Sequence, residues 1–221
     1  MVAILIPSDL EAGILARVPG VAGNFGGFWG QRGENYLALV CGIGEANAAA
    51  AVGFLVGRFS TRRVLLLGIG GAYPGSGLNL GNLVLASEEI HADLGLAKGG
   101  MAALGFPALV VSGQTYYNSF PASPWSKQLA TALGLPMAKF LTRDRVSESA
   151  LEARRLADYY GAEIENMEGA GAFMAAIRLG VEIAEIRSVA NPAGLRERDK
   201  WDLRGAFSAL QMVLEQVLAL E

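Results

Sequence analysis

Three polar side chains fall just after apolar, strand-like runs. Glu11 follows Val2-Ala-Ile-Leu-Ile6, Glu168 follows Ala162–Asn166, and Asn191 closes Val181–Ala190. A carboxylate held at the mouth of a sheet can orient or deprotonate a water. Each position also has a plain structural reading. Pro7-Ser-Asp-Leu-Glu11 spells a capping box, with Ser8 as N-cap and Glu11 returning the hydrogen bond, and the carboxylate cannot face both ways. Glu168 opens a helix, where the dipole favours a carboxylate in any protein. Yet Gly169 and Gly171 are costly inside a helix and suggest tight packing or close ligand approach. Asn191 before Pro192 can begin a turn, but Trp201, within the charged run Arg196–Asp202, is less expected on a bare surface.

Other chemistries are hard to build. With one histidine, His91, and one cysteine, Cys41, the chain has no internal disulfide and little with which to assemble a zinc site or a nucleophilic triad. His91 reads as a polar surface residue and Cys41 as a small buried hydrophobe. Gly68-Ile-Gly-Gly-Ala-Tyr73 lacks the third glycine of a dinucleotide turn, and no phosphate-binding G-x-x-x-x-G-K-[ST] occurs. The glycines of this segment mark either a close backbone approach or a plain turn. With 18 Lys+Arg against 21 Asp+Glu, there is no basic excess for nucleic acid. No cofactor and no metal are expected.

The elements that must position these residues alternate. Strands are predicted at Val2–Ile6, Glu34–Cys41, Arg63–Gly68, Leu83–Ser87, Pro107–Ser112, Met137–Thr142, Ala162–Asn166 and Val181–Ala190. Helices fit Ser8–Val18, the alanine-rich Glu45–Arg58, Trp125–Leu133, Ser149–Tyr160, Glu168–Leu179 and Gly205–Leu220. At 221 residues, 52% hydrophobic and without a linker or repeat, the chain predicts one α/β domain over 1–221. The expected form is a three-layer sandwich, a mostly parallel sheet with helices on both faces. Ligands then bind beyond the carboxyl ends of the strands. The uncharged runs Val64–Ser87 and Gly99–Ser126 are broken by glycine, proline and asparagine, so no membrane partner is expected. Val2–Ile6 has no preceding basic residue and is followed by Asp9 and Glu11, unlike a signal peptide, which predicts a cytoplasmic protein.

Together these segments resemble the nucleoside phosphorylase/hydrolase superfamily, which includes the methylthioadenosine/adenosylhomocysteine nucleosidases, over nearly the whole chain. The resemblance is carried by Gly68-Ile-Gly-Gly-Ala-Tyr-Pro-Gly…Asn79-Leu-Gly-Asn-Leu-Val84, by Asn166-Met-Glu-Gly-Ala-Gly171, similar to that family's M-E-x-A-A, and by Arg187-Ser-Val-Ala-Asn191. Within it, Asn191 followed by Arg196-Glu-Arg-Asp-Lys-Trp-Asp202, with Ile90-His-Ala-Asp-Leu-Gly95, resembles the futalosine hydrolase branch. Phosphorolytic relatives carry a G-D-P-x-x-R-like loop after the first strand. Here that loop has no arginine before Arg17, so water is the expected nucleophile and Glu11 its base.

The resemblance implies a nucleoside phosphorylase-like fold and hydrolysis of the N-glycosidic bond of futalosine, releasing hypoxanthine and dehypoxanthinylfutalosine in menaquinone biosynthesis. By the same resemblance Glu168 binds the ribose hydroxyls, Met167 packs against the sugar, and Asn191 meets the purine. Gly70, Gly71, Val146, Asn166 and Trp201 are further substrate contacts. Methylthioadenosine nucleosidases have a catalytic Asp where Asn191 stands, and an amide is no general acid. An amide suits N7 and O6 of a 6-oxopurine but also pairs with N6 and N7 of adenine. An adenine nucleosidase and a non-catalytic nucleoside-binding relative therefore stand as alternatives. Tyr116, Tyr117 and Phe120 are candidates to stack on the aromatic 5′ side arm of futalosine, with Arg145 or His91 for its carboxylate. Relatives assemble as oligomers, so a homo-oligomer is expected.

Overall fold

A computed structural model describes all residues, 1–221. In chain order its strands are β1 (Val2–Ile6), β2 (Val21–Phe25), β3 (Phe28–Arg32), β4 (Tyr36–Val40), β5 (Arg63–Ala72), β6 (Leu83–His91), β7 (Leu109–Val111), β8 (Gln114–Tyr116), β9 (Ser119–Pro121), β10 (Met137–Thr142), β11 (Ile164–Asn166) and β12 (Glu182–Pro192). The helices are α1 (Glu45–Phe59), α2 (Gly100–Leu104), α3 (Pro124–Leu133), α4 (Ala150–Tyr160), α5 (Gly169–Leu179) and α6 (Leu203–Leu220).

The sheet runs β11-β10-β6-β12-β5-β1-β4-β3-β2. Its centre, β4-β1-β5-β12, is parallel, as the buried apolar runs require. The β2–β3–β4 meander and the β12–β6 pair are antiparallel, so the sheet is mixed rather than mostly parallel. The meander carries no strand signal in the sequence, because glycines interrupt Val21–Arg32 and leave no apolar alternation. β11 pairs with β10 on one side and antiparallel with the end of β5 on the other, Glu165 opposite Gly71. The strands β5-β12-β6-β10-β11 thus curl until the last meets the first. That closure brings residues 165–168 up to the glycines of β5.

Alternation sends side chains to both faces. Val2, Ile4 and Ile6 join Leu65, Leu67 and Ile186 under α3, α6 and a 3-10 helix at Glu11–Arg17. Ala3, Leu5, Val64 and Leu66 join Ala48, Ala51, Leu55, Ala172 and Phe173 under α1 and α5. Small residues let those two helices approach closely, and a methyl group on Gly171 would collide with the backbone of Glu45. Helices therefore cover both faces, as expected. Ser149 and Asp202 cap α4 and α6, accepting from the Glu152 and Gly205 amides at 3.2 and 2.8 Å. No helix is long and apolar enough to cross a membrane.

Candidate active site

β1 ends at Ile6, while its neighbour β5 continues to Ala72. The amide of Ile69 therefore has no partner on the β1 side, and the Glu11 carboxylate takes it, Oε1 to N 2.9 Å. Ser8 Oγ donates to Glu11 Oε2 at 2.5 Å and accepts from the Glu11 amide at 3.3 Å. Half of a capping box is present, but Glu11 does not return the bond. Its carboxylate lines a cavity of about 320 Å³ together with Glu168, Asn191 and Arg187. The predicted α-helix there is a 3-10 helix whose first residue is Glu11 itself. Burial raises the Glu11 pKa, against the hydrogen bonds from Ser8 and Ile69 and the charge of Arg187. A carboxylate so raised is a stronger proton acceptor than an ordinary one.

Glu168 heads α5, and its Oε1 accepts from the Gly44 amide at 3.1 Å. Gly44 offers that amide from φ +100°, a backbone region open to glycine. Glu168 Oε2 meets Arg187 Nη2 at 3.0 Å. Arg187 is buried in β12, its Nε on Glu185 Oε1 at 2.7 Å and its Nη1 on the Ile69 carbonyl at 3.0 Å. Burial alone would lower the Arg187 pKa, but Glu185 and Glu168 outweigh it and hold it above the ordinary arginine value. This guanidinium links the Glu168 side of the site to the Glu11 side through Ile69.

The glycines of β5 are the close approach that the sequence left open against a turn. A methyl group on Gly68 would lie 2.7 Å from Arg187 Nη1 and 2.9 Å from Glu11 Oε1, and one on Gly70 would lie 2.8 Å from Ile164 Cγ2. Gly68→Ala is expected to destabilise the fold by about 1–3 kcal/mol, as overpacking does, and to lower turnover by displacing Glu11. Urea denaturation beside an activity assay checks both.

A break in register between Val189 and Asn191, opposite Gly70 and Gly71, leaves Ala190 as a bulge. Such a bulge re-aims the residue that follows it, and Asn191 lines the cavity. One Asn191 Nδ2 hydrogen is used on the Pro192 carbonyl at 2.9 Å, leaving the second hydrogen and Oδ1. The loop after it is tied at both ends, Ala193 N to Ala72 O at 2.7 Å and Asp202 N to Ala190 O at 2.8 Å. Trp201 Nε1 donates to the Leu195 carbonyl at 3.0 Å, and Arg196 lies over the indole at 5.3 Å.

Gly70, Gly71, Val146, Asn166, Met167 and Trp201 all line the same cavity. Asn166 is mainly a brace. Its Oδ1 accepts from the amides of Glu168 and Gly169 at 2.9 and 2.8 Å, capping α5. Tyr116, Tyr117 and Phe120 are not there. Phe120 is wholly buried in the core with Tyr116 stacked on it at 6.2 Å, and Tyr116 and Tyr117 line a separate surface hollow with Tyr159 and Tyr160. An aromatic run reads alike whether it covers a core or lines a pocket. Arg145 and His91 are absent from the lining too. His91 is no free surface residue: its Nε2 meets Glu45 Oε1 at 3.0 Å. Burial, with Asp144 and Asp93 nearby, pushes Glu45 up to about 8, and burial lowers His91. Cys41 is buried, its thiol pushed up to about 12 by burial and then by Glu168.

The sequence reading missed Arg187, Glu165 and Arg196 as lining residues. Glu165 Oε2 accepts from the Ser147 amide at 2.9 Å and from the Ser147 hydroxyl, fixing the turn that carries Val146. The available signal was charge inside an apolar strand, Glu185 and Arg187 two apart on one face of β12.

The Phosphorylase superfamily model matches residues 3–219. The chain is 45% identical over 219 residues to "Futalosine hydrolase" of Thermus thermophilus, covering 99% of this chain and 95% of that one. It is 34% identical to "Futalosine hydrolase" of Streptomyces coelicolor, over 80% of this chain and 76% of the relative. Among solved structures, the 5′-methylthioadenosine/S-adenosylhomocysteine nucleosidase of Helicobacter pylori superposes with a TM-score of 0.84 at 18% identity, covering 100% of this chain and 98% of that one. At that identity it speaks for the fold alone. Sequence identity along the whole chain and the matched superfamily agree: the chain belongs to the futalosine hydrolases of the phosphorylase superfamily.

Proposed function

We propose that the chain hydrolyses the N-glycosidic bond of futalosine, releasing hypoxanthine and dehypoxanthinylfutalosine, as a step of menaquinone biosynthesis. The observation that carries the reading is Glu11, a buried carboxylate with a raised pKa, turned into the cavity by Ser8 and Ile69. In this reading Glu11 accepts a proton as a water oxygen bonds to C1′. The C1′–N9 bond breaks, its electron pair leaves with the purine, and the purine takes a proton from solvent. Asn191 donates to N7 or O6 as negative charge builds there. Glu168 binds the ribose hydroxyls and sets negative charge beside the oxocarbenium-like sugar, Met167 packs on the sugar, and Trp201 covers the base.

Water rather than phosphate is the nucleophile. The Pro7–Gly13 loop has no cation, and Arg187 is engaged by two carboxylates and a carbonyl. The test is turnover of futalosine with and without phosphate. Equal rates with free sugar as product are expected; a rate that requires phosphate, with a sugar phosphate as product, contradicts the reading.

The alternative reading is an adenine nucleosidase, kept alive by the ability of the Asn191 amide to pair with adenine. Asn191→Asp puts a protonatable group at the leaving base. It is expected to lower futalosine turnover, raise methylthioadenosine turnover relative to it, and add a decline at high pH as the new carboxyl ionises. Rate profiles on both nucleosides measure this.

The same reading includes a homo-oligomer in the cytoplasm. Leu96, Leu104, Phe106, Val110 and Tyr117 stand exposed along one stretch of chain, and the single cysteine suits a reducing compartment. Sedimentation equilibrium tests the assembly.

A further inference from the structure

Two carboxyl groups beneath the site take no part in the steps above. Glu89 on β6 and Glu185 on β12 are both fully buried. They converge on the first residue of α5: a methyl group on Gly169 would collide with Glu89 Oε1 and lie 2.5 Å from Glu185 Oε2. Around them almost every polar atom is matched. Glu89 Oε1 accepts from Asn166 Nδ2 and Oε2 from Thr142 Oγ1, both at 2.6 Å. Thr142 Oγ1 in turn accepts from the Ala170 amide at 2.8 Å. Glu185 Oε1 accepts from Arg187 Nε at 2.7 Å. Glu185 Oε2 is buried with no donor.

A buried carboxylate oxygen facing a second carboxyl lacks a proton donor, and two like charges in contact away from water do not both ionise. We propose that Glu89 and Glu185 share one proton, carried by Glu89 and donated to Glu185 Oε2, and that it holds Arg187 and Asn166 in place to position Glu168 for the ribose. Burial, and then the charge of Glu185, push Glu89 well above the usual carboxylate range. The other charged groups facing the pair are Arg187 on β12 and Glu168 at the head of α5. β10 and β11 contribute the neutral Thr142 and Asn166. His91 on β6 faces Glu45 on α1, Nε2 to Oε1 3.0 Å, and Glu11 acts on the pair through Arg187.

Loss of the shared proton adds a second negative charge beside Arg187. The guanidinium then has a stronger partner in the pair than in Glu168, and its Nη2 bonds to Glu168 Oε2 and Asn166 Oδ1, at 3.0 and 3.3 Å, weaken. Asn166 caps both Glu168 and Gly169, so the ribose-binding carboxylate shifts. Turnover therefore falls as pH rises through the second ionisation of the pair, by about tenfold per pH unit. The positioning role rests on the nucleoside-hydrolase reading; the proton itself does not.

Glu185→Gln is the discriminating variant. Its amide oxygen can accept from Arg187 Nε and its NH2 can donate to Glu89, which is then ionised with three donors. One negative charge remains and the titrating proton is gone. Whatever its absolute rate, the variant is expected to lose the alkaline limb that the parent shows on the same nucleoside. Retention of that limb at the same pH overturns the proposal. Infrared spectra of the substrate-free parent provide a second reading that needs no turnover. Glu45, pushed up to about 8, contributes a protonated carboxyl of its own, so a carbonyl stretch beyond the one that Glu45→Gln removes is expected at neutral pH, and it is expected to disappear in Glu185→Gln. Its absence from the parent overturns the proposal even if the variant does not fold, whereas failure to turn over any nucleoside counts against the function and leaves the infrared result standing.

Discussion

Glu11→Gln is expected to lower kcat by about 10²–10⁴ while nucleoside still binds, the range for removal of a positioned general base. Glutamine keeps the oxygen that accepts from Ile69, so the 3-10 helix and the cavity wall stay in place. What goes is the ability to take a proton from water. The parent profile carries the same signature. Because burial raises the Glu11 pKa, the base form is lost as pH falls through a value above the ordinary carboxylate range. The acid limb of kcat/KM should lie at that higher pH. Rapid-mixing binding and steady-state rates on the two proteins check this. Undiminished kcat in the variant would return Ser8 and Glu11 to a structural pairing at the start of the helix.

Arg187→Ala is expected to cost about 3–5 kcal/mol of folding stability as well as turnover, because it strands Glu185 and Glu168 without their cation in the core. Denaturant midpoints for the parent and the variant measure it. A deficit below about 1 kcal/mol would mean that the two carboxyls do not depend on Arg187.

The order of elements was readable because apolar runs such as Val2–Ile6 and Met137–Thr142 admit little but buried strand, and because serine and glycine mark the ends of α4. Glu11, Glu168 and Asn191 were identifiable by position, each just beyond a predicted strand, although β12 in fact runs on through Asn191 to Pro192. Their interplay was not. That Glu11 leaves its cap depends on an unpaired amide in β5, and that amide is free because β1 is shorter than β5. The strand character of Ile69–Ala72 was hidden because glycine reads as a turn until its neighbours are known. The closure of β11 onto β5 is a contact between distant parts of the chain, with no local pattern. Tyr116, Tyr117 and Phe120 were misplaced for the same reason, since composition does not say which cavity a ring faces.

One tube holding futalosine and methylthioadenosine at equal concentration, in phosphate-free buffer, tests the proposed hydrolysis most directly when the released bases are separated by chromatography. The geometry and the family predict hypoxanthine in large excess over adenine, and predict that Glu11→Gln lowers the rate of hypoxanthine release by about 10²–10⁴. Adenine in excess, or release that needs phosphate, would contradict the account.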